Sequence, residues 1–490
     1  MDPGEAEYFG WKGTVERNPG YFINPAEMEL HGCPEKFWAR LRKDLPVIDE
    51  GFKRASVNRL DGVFDSIMDK RMRAEHFVDI HPVYYDNARN WWLWNLKEFK
   101  WERIDKTDLL NAVHKQAKVN LVSTKEKTEM IEALRQVARL TAPKPVPPTW
   151  IQFKQIIVDI KTGEQFKASA EYFVTNPIPH ELDPDGFRET PMMDKIFAEW
   201  VGEEEVPKLY EILAYCLLPD YPLHRIFCFI GDGLNGKSCF LTLLKRFVGG
   251  GNCCSTELDN LLTSRFEVTR LHKKLVCMMG ETNFNEMSKT SMLKKLSGGD
   301  LIGFEYKNKD HFESNNYAKL LIATNNLPAT TDKTEGFYRR WMITDFPNKF
   351  SEKFDVLATI PEEEYGALAL KCTYILNDLL TKREFTNEGS IKERMKTYED
   401  YSNPLDKFLR EEIIENHDSY IWKFEFSDRL KEWCQANRFR ELGDVYLGKR
   451  MKQLGFTQSL KSAGDFAIGK KWRAWTGLKW KDKSGDSDAD

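Results

Sequence analysis

Apolar and polar residues alternate with different periods along the chain, and each period predicts its own kind of structure. Between residues 226 and 346 the chain repeats an apolar strand, a loop and a helix, with strands predicted at 226–230, 275–279 and 318–323. Strands that are apolar on both faces are typical of buried parallel sheets. The central part of the chain is therefore predicted to have an α/β fold built on a parallel sheet.

The region before this core has a different pattern, in which strand periods give way to helical ones. Residues 81–104 predict a β-meander, residues 105–140 predict helices, and the Pro-rich stretch 141–148 indicates a stiff extended connector. Tryptophans in the meander form either a hairpin core, which we favour, or a platform on which unpaired bases stack. These tryptophans are Trp91, Trp92, Trp94 and Trp101.

The helical period returns in the C-terminal region. Residues 387–412 predict a charged connecting helix, and residues 426–435 and 445–454 predict two more helices, followed by β-prone pieces up to residue 480. A helix-turn-helix with a β wing, that is a winged-helix domain, is the simplest assembly of these pieces. Residues 482–490 are too polar to bury a core, so we expect a disordered tail there.

Composition excludes several classes of protein. The 490 residues are 41% hydrophobic, which is enough for several cores. No apolar run reaches the roughly 18 residues that cross a bilayer, and the acidic N-terminus is unlike a signal peptide, so we expect no membrane partner and a cytoplasmic, intracellular location. The nine cysteines are scattered without a Cys-x-x-Cys pair, which argues against a disulfide scaffold and a structural zinc site.

Basic charge is concentrated near the C-terminus, although the net charge of the chain is −4. Residues 420–481 hold 14 Lys and Arg against 6 Asp and Glu. Such a one-sided patch favours contact with a polyanion over a generic solvated face, and docking of a protein is the alternative. The candidate nucleic-acid-binding residues in this patch are Lys449, Arg450, Lys470, Lys471 and Arg473.

The strongest motif is a match to G-x-x-x-x-G-K-[ST] at residues 231–238, between a predicted strand and a predicted helix. Its glycines let backbone N–H groups turn toward phosphate oxygens, and the helix N-terminus adds partial positive charge. Lys237 would then reach the β- and γ-phosphates, and the Ser238 hydroxyl would bind Mg²⁺. The candidate nucleotide-binding residues are Gly231, Asp232, Gly233, Leu234, Asn235, Gly236, Lys237, Ser238 and Cys239.

Polar residues at the ends of later strands suit the same chemistry. Glu281 follows one predicted strand and could orient water toward the γ-phosphate, while Asn325 follows another and could sense that phosphate. Arg339 and Arg340 could neutralise charge in the transition state from a neighbouring subunit. Each residue alone also fits an ordinary strand end or a solvated face, but their order after the phosphate motif favours one ATP-hydrolysing site.

Residues 231–346 resemble the ATPase domain of superfamily 3 helicases, specifically the phage, plasmid and poxvirus-type primase-helicases. The resemblance extends outward to cover roughly residues 75–480. The matching strings are 231–238, Gly280-Glu281-Thr282, 295–300 followed by 306–309, 323–328 and 335–340, with 171–179, 213–220 and 403–481 outside the core.

This resemblance implies a DNA helicase that hydrolyses ATP with Mg²⁺ between the AAA+-like subunits of a ring, usually a hexamer, and moves along single-stranded DNA, typically 3′ to 5′. Lys237, Glu281 and Asn325 would be catalytic, with Ser238 and Glu281 at the metal. Arg340 is preferred over Arg339 as the residue that reaches the neighbouring subunit. Lys307 and Lys309 would lie on a hairpin that points into the DNA channel, for which a plain surface hairpin is the alternative.

The sequence departs from the family at two points. Gly280 stands where an acidic residue often precedes the glutamate, so Mg²⁺ would depend on Ser238, phosphates and water, and a metal role for Glu281 is in question. No pair of acidic residues suits primase chemistry, because Asp159 offers one carboxylate only. We therefore expect the helicase part without the primase part, acting on single-stranded and forked DNA, with a primase or polymerase as a further partner.

Two other functions fit parts of the sequence. One is an ATP-controlled initiator or scaffold that assembles on DNA without unwinding it, and the other is a P-loop kinase of small metabolites. The expected organisation is an N-terminal segment of unassigned role at 1–70, an α+β collar or oligomerisation region at 71–190, the ATPase domain at 191–385, a connector with the winged-helix domain at 386–481, and the tail at 482–490.

Overall fold

The computed structural model describes most of the chain after residue 69. The described residues are 70–117, 123–182, 186–280, 286–287, 289–306, 311–351, 355–437, 439, 441–462 and 471–481. They form two compact units, one of residues 70–145 with 169–173 and the other of residues 146–168 with 174–481. The boundary near residue 145 lies within the Pro-rich stretch, as its extended connector character leads one to expect.

The first unit is an antiparallel meander packed with helices. Its strands pair in the order β1-β2-β3, so the predicted β-meander is confirmed. Ser123 and Glu126 form a capping box at the start of the last helix, which satisfies backbone N–H groups in its first turn. The elements are α1 Lys70–Ile80, β1 Val83–Tyr85, β2 Trp91–Asn95, β3 Lys100–Ile104, α2 Lys106–Ala117 and α3 Thr124–Leu140.

The tryptophans of the meander belong to its core. Trp92, Trp94 and Trp101 pack together with Phe173, and Trp91 joins the core on the helical side. None of the four tryptophans is more than 5% exposed. The hairpin core is therefore confirmed, and the alternative of a stacking platform is excluded because a base cannot reach buried rings.

The second unit contains three larger sheets and most of the helices. The first sheet is antiparallel and consists of Trp150–Phe153 (β4), Ile156–Asp159 (β5) and Gln165–Lys167 (β6). Its Asp159 accepts hydrogen bonds from the Trp150 indole N–H at 3.3 Å and the Lys161 backbone N–H at 3.0 Å, which gives that carboxylate a structural role. In chain order the elements are β4 Trp150–Phe153, β5 Ile156–Asp159, β6 Gln165–Lys167, α4 Pro191–Val201, α5 Val206–Tyr215, β7 Ile226–Ile230, α6 Lys237–Val248, β8 Cys253–Ser255, α7 Leu258–Thr263, α8 Arg265–Val268, β9 Val276–Met279, β10 Glu286–Met287, α9 Thr290–Leu296, β11 Leu301–Phe304, β12 Phe312–Asn315, β13 Lys319–Thr324, β14 Ala329–Thr330, α10 Glu335–Tyr338, β15 Trp341–Asp345, α11 Glu363–Lys382, α12 Ile391–Ser402, α13 Pro404–Glu412, β16 Ile413–Trp422, α14 Lys423–Ala436, α15 Asp444–Gln453, β17 Thr457–Ser462 and β18 Lys471–Trp480.

The central sheet is parallel and has the strand order β15-β7-β13-β9-β8. All five residues of β7 are buried, because helices cover both faces of the sheet. Phe227 and Phe229 point to one hydrophobic core and Cys228 points to the other, as the two-residue period of a strand requires. The prediction of an α/β fold on a parallel sheet is confirmed, and the sheet is consistent with a P-loop ATPase core.

The C-terminal part of this unit, residues 404–481, combines three helices with an antiparallel sheet of order β16-β18-β17. The helices predicted at 426–435 and 445–454 are present as α14 and α15, and the β-prone pieces pair as β17 and β18. Ile421, Phe426 and Trp475 are buried between the helices and the sheet. Within the described residues, no helix combines the length and the apolarity that a membrane crossing requires.

Candidate functional site

The carboxyl ends of the parallel strands meet at one edge of the central sheet. The last residue of β7, Ile230, is paired on one side with Thr324 of β13 and on the other with Asp345 of β15. The phosphate motif leaves the sheet at this point, and helix α6 begins at Lys237 with Gly236 as its N-cap. Ligands of open α/β sheets bind at this edge, and a helix N-terminus there favours anions.

Two glycines of the motif are required by close packing. A Cβ atom on Gly231, whose φ is +153°, would lie 2.0 Å from the Asn235 amide nitrogen and 2.5 Å from the Phe346 carbonyl oxygen. A Cβ atom on Gly236, whose φ is +94°, would lie 2.6 Å from the ring of Trp200. The loop is therefore held close to both the sheet and helix α4, and these two positions have no room for a side chain.

The Lys237 ammonium group is surrounded by oxygen atoms. It donates hydrogen bonds to the Asp232 carbonyl at 3.2 Å, to Asn235 Oδ1 at 3.0 Å and to Asn325 Oδ1 at 3.3 Å, and also to the Gly231 carbonyl. Asn325 follows the last residue of β13, so the structure brings together two predicted site residues that are 88 positions apart in the chain. An ammonium group held by several oxygens can exchange some of them for phosphate oxygens.

The segment after β15 lines the phosphate loop, and sequence analysis missed it. The Phe346 carbonyl accepts a hydrogen bond from the Asn235 side chain at 3.1 Å, and the Phe350 N–H donates to the Leu234 carbonyl at 2.7 Å. These contacts use backbone atoms, which leave no pattern in side chains. The one available signal was that this segment follows a strand that ends at the same edge of the sheet.

The metal assignment stays a prediction. Ser238 is exposed in the first turn of α6, where its hydroxyl is accessible, whereas Cys239 is half-buried and burial raises the pKa of its thiol. Glu281 lies outside the described residues. A Cβ atom on Gly280 would meet nothing within 4 Å, so packing does not forbid an acidic side chain there. No group of three His, Cys, Asp or Glu that could hold a metal occurs in the part of the chain that the structure describes.

Arg340 is used inside its own subunit. Its guanidinium donates to Ser297 Oγ at 3.1 Å, to the Lys294 carbonyl at 3.4 Å and to the Gly336 carbonyl, and the residue is only 7% exposed. Burial, followed by the charge of Arg339, lowers the pKa of this guanidinium. A group that reaches another subunit has to be at the surface, so this burial favours Arg339 over Arg340, and the choice between the two arginines stays a prediction.

Arg339 is exposed at the opposite edge of the sheet from the phosphate loop. Trp341, the first residue of β15, pairs with Ile226, the first residue of β7, whereas the loop starts after the last residue of β7. Five residues of strand span about 16 Å. Arg339 therefore lies too far from the phosphate loop of its own subunit to contact a nucleotide bound there.

A two-stranded hairpin is present where the channel hairpin was expected. Strands β11 and β12 pair antiparallel, with Phe304 opposite Phe312. The segment that follows β11 on the loop side of the hairpin is anchored, because Thr269 Oγ1 exchanges hydrogen bonds with the backbone of Glu305 and His272 Nδ1 lies 2.8 Å from the Tyr306 hydroxyl. Lys307 and Lys309 lie outside the described residues, so their DNA-binding role stays a prediction.

The C-terminal candidates divide into exposed and paired residues. Lys449, Lys471 and Arg473 are exposed, and Lys470 lies outside the described residues. Arg450 forms a bidentate ion pair with Asp406, at 3.2 Å and 2.6 Å, which raises the pKa of its guanidinium and ties α15 to α13. Arg450 is thus better explained as a link within the domain than as a phosphate ligand.

The geometry defines the class of protein: the glycine-rich loop, helix α6 and the Lys237–Asn325 contact at the carboxyl edge of a parallel sheet are consistent with a P-loop ATPase core. Two protein families match parts of the chain. Residues 69–203 match the family described as D5 N terminal like, and residues 229–340 match a family of unknown function, DUF5906. Both domains are typical of phage and plasmid primase-helicases, so the resemblance to that group is confirmed.

Two of the solved structures that are similar to the chain are of the same protein region. The apo structure of the NrS-1 C terminal region (305-718) is 14% identical, with a TM-score of 0.46 over 84% of this chain and 100% of that chain. An A form apo structure of the same region is 14% identical, with a TM-score of 0.44 over 81% of this chain and 96% of that chain. None of the curated proteins compared with the chain matches it.

Proposed function

We propose that this protein is an ATP-dependent replicative DNA helicase whose subunits form a ring and move along single-stranded DNA in the 3′ to 5′ direction. The observation that carries the proposal is the contact between Lys237 and Asn325 beside the N-terminus of α6. It supports a site in which one side chain binds the terminal phosphates and another reports their presence to strand β13. Ring formation and direction of movement come from the resemblance to superfamily 3 helicases.

The phosphate loop fits ATP in shape and charge. Gly231 and Gly236 allow the backbone to turn inward without a Cβ clash, and Lys237 supplies the positive charge. Mg²⁺ would be held by Ser238 and the phosphates, where it would neutralise charge on the transferred group. Glu281 is proposed as the base that orients the attacking water, since it follows Gly280 at the end of β9.

We assign the contribution from the neighbouring subunit to Arg339. Its exposed guanidinium lies at the edge of the sheet opposite to its own phosphate loop, so only a nucleotide held by another subunit is available to it in a ring. An arginine supplied in this way neutralises the charge that develops on the transferred phosphoryl group. Arg340 supports Arg339 indirectly, because it fixes the end of α10 against α9.

The hairpin of β11 and β12 supports coupling between hydrolysis and DNA movement. On its loop side, Glu305 and Tyr306 bond to Thr269 and His272 in the segment that precedes β9, and β9 leads to Gly280 and Glu281. A change at the phosphates can therefore be passed through one short strand to the hairpin. Lys307 and Lys309 would contact the DNA backbone from its tip.

The C-terminal elements are proposed to form a winged-helix domain that contacts forked DNA. Their order is helix, strand, two helices and two strands, with exposed Lys449 on the second of the paired helices and exposed Lys471 and Arg473 on the last strand. Phosphate contacts from such residues position a domain without reading the base sequence.

The decisive experiment mixes two inactive variants. Lys237→Ala subunits lack the phosphate-binding ammonium but keep Arg339, and Arg339→Ala subunits have the reverse defect. If ATP is hydrolysed between subunits, mixtures recover part of the ATPase activity that each variant has lost. Absence of recovery, with both variants still assembled by size measurement, would contradict the shared site.

Strand displacement separates the helicase from a DNA-binding initiator or scaffold. A forked DNA with a labelled strand is incubated with the wild-type protein and ATP, and with Lys237→Ala as the matched negative control. We expect release of the labelled strand with the wild type only. ATP hydrolysis without strand release, at saturating DNA and on forks of both polarities, would favour the initiator.

A further inference from the structure

The sheet β16-β18-β17 has one face that the domain core does not use. In antiparallel pairs, residues opposite each other project to the same face. Tyr420 is opposite Thr476, Trp422 is opposite Ala474, and Lys461 is opposite Trp472. The neighbouring pair of Ile421 with Trp475 is buried in the helical core, so the first three pairs lie on the outer face.

Four aromatic rings gather on or beside this outer face. The ring centroids of Tyr420 and Trp422 are 5.0 Å apart, those of Trp422 and Trp472 are 6.0 Å apart, and those of Phe424 and Trp472 are 5.1 Å apart. We call Tyr420, Trp422, Phe424 and Trp472 the outer aromatic face. Tyr420, Phe424 and Trp472 are 41%, 50% and 40% exposed, which is unusual for large aromatic rings in contact with one another.

The surroundings of the outer aromatic face are basic. The segments 420–424, 457–462 and 471–476 contain no Asp or Glu, and the basic residues on this face or next to it in sequence are Lys461 and Lys423. The Lys461 ammonium lies 5.5 Å from the centre of the Tyr420 ring, and Lys423 lies in sequence between Trp422 and Phe424. Among the described residues, Ser459 also contributes a buried hydroxyl that has no hydrogen-bond partner, and it lies on this face opposite Ala474.

We propose that the outer aromatic face binds the unpaired bases of a single strand of nucleic acid, a role that rests on DNA being the substrate. Exposed aromatic rings on a sheet give bases a surface on which to stack, and flanking lysines neutralise the phosphates. A duplex hides its base faces, so the site selects single-stranded regions. A protein partner is disfavoured because no carboxylate of these segments can pair with basic groups of a partner.

This site differs from the phosphate contacts expected of the last strand. Lys471 and Arg473 alternate with Trp472 along β18 and therefore project to the other face of the sheet. The outer aromatic face would hold unpaired bases, while exposed Lys471 and Arg473, at the end of the face that carries Trp475 into the core, would contact a phosphate backbone. A domain with both kinds of contact binds at the junction between single-stranded and double-stranded DNA.

The test compares two single strands that differ only in their bases. The full chain, without nucleotide and at fixed salt, is titrated with a fluorescent oligo-dT and with an abasic strand of the same length, and binding is measured by anisotropy. We expect a base stacked on Trp472 to contribute as much binding free energy as it does in other single-strand-binding proteins. Trp472→Ala should therefore weaken binding of oligo-dT by roughly 5- to 150-fold and leave binding of the abasic strand nearly unchanged. Tyr420→Ala should act in the same direction.

Two variants control for folding and for general surface effects. Trp472→Phe keeps an aromatic ring and should retain most of the affinity for oligo-dT. Leu460→Ala removes an exposed side chain from the same sheet, opposite Arg473 on the other face, and should change neither titration. Unchanged binding of oligo-dT by Trp472→Ala, or an equal loss for both strands, would overturn the proposal.

ATP hydrolysis is measured on the same samples without DNA, so that the two proposals fail separately. Trp472 lies outside the phosphate site, and Trp472→Ala should keep the wild-type rate. If the wild-type protein shows base-dependent binding but no ATP hydrolysis, the proposed single-strand site stands and the proposed helicase activity is refuted. If it hydrolyses ATP and displaces a strand without base-dependent binding, the helicase activity stands and the single-strand site is refuted.

Discussion

The two edges of the central sheet each hold a buried lysine in a ring of oxygen atoms, but they hold it in different ways. At the carboxyl edge, Lys237 bonds to atoms of a glycine-rich loop and to the side chain of Asn325. At the amino edge, Lys319 donates to the Asp220 carbonyl at 2.7 Å, to the Tyr317 carbonyl at 3.0 Å and to the Leu218 carbonyl.

The difference lies in whether the oxygen atoms can be replaced. The partners of Lys319 are backbone carbonyls of tightly packed segments, and the rings of Tyr215 and Tyr221 lie 4.8 Å and 5.4 Å from its ammonium group. The partners of Lys237 belong to a loop and to two amide side chains at a rim where ligands bind. Lys319 therefore has a structural role in the core, whereas Lys237 can exchange its oxygen partners for phosphate oxygens.

The largest expected effect is at the carboxyl edge. Lys237→Ala removes the charge that meets the terminal phosphates, and loss of one such contact typically reduces a rate by about 10²–10³-fold. Steady-state ATPase assays measure the change. Lys349→Ala is the matched control, because the Lys349 ammonium lies near the same loop, 3.8 Å from the Asp232 carboxylate, but is exposed. Retention of more than a tenth of the activity by Lys237→Ala would contradict the role of its ammonium group.

The second effect concerns the shape of the same edge. Gly236→Ala places a Cβ atom 2.6 Å from the Trp200 ring at a φ of +94°, so it combines overpacking with backbone strain. We expect the free energy of unfolding to fall by about 2–4 kcal/mol, together with weaker ATP binding. Gly233→Ala is the control, since a Cβ atom there meets nothing within 4 Å. Thermal unfolding distinguishes them, and equal stability of both variants would refute the packing argument.

A third test separates the two adjacent arginines. Arg340→Ala leaves buried acceptors at the ends of α9 and α10 without a donor, and we expect the free energy of unfolding to fall by about 1.5–3 kcal/mol. Arg339→Ala removes an exposed side chain and should change stability by less than about 0.5 kcal/mol while ATP hydrolysis is lost. Denaturant unfolding measures the first quantity. The reverse pattern, a stable Arg340→Ala and an unstable Arg339→Ala, would restore the assignment made from the sequence.

The carboxyl edge could be predicted from the sequence because its chemistry is carried by side chains at fixed spacings. Lys237 is found through the glycines before it, and Asn325 is found because it follows an apolar strand. The choice between Arg339 and Arg340 could not be made, since adjacent residues share every sequence signal and only the packing of α9 and α10 buries one of them. The contacts of Phe346 were equally hidden because they involve its backbone.

The burial of Lys319 at the amino edge could not be predicted from the sequence. Lys319 opens an apolar strand, where a lysine would ordinarily be taken for a solvated end, yet it is fully buried. Two of its three acceptors are carbonyls about a hundred residues earlier in the chain. In the C-terminal domain α14, α15 and the last strands were predictable from their periods, but β16 was not predicted, and its pairing with β18, which creates the outer aromatic face, depends on strand register that periods alone do not give.

The smallest expected effect is a pH dependence set by the amino edge. Burial lowers the pKa of Lys319 to about 7, against about 10.4 in an unfolded chain. Between these values the unfolded chain binds one proton more than the folded chain, so the free energy of unfolding rises with pH, by at most about 1.4 kcal/mol per unit. Below pH 7 both states are protonated, and the contribution of Lys319 is constant at its least favourable value.

Lys319→Met isolates this contribution by unfolding measurements at pH 8 and pH 9. The variant loses hydrogen bonds to three carbonyls, so its stability should be lower at both values, but its rise between them should be smaller than that of the wild type by up to about 1.4 kcal/mol. Lys333→Met is the control, because Lys333 pairs with Glu399 at the surface and the pKa of its ammonium is raised. An identical rise in the wild type and Lys319→Met would mean that the carbonyls and tyrosine rings keep Lys319 charged in the folded chain. The amino edge would then hold a charged lysine, as the carboxyl edge does.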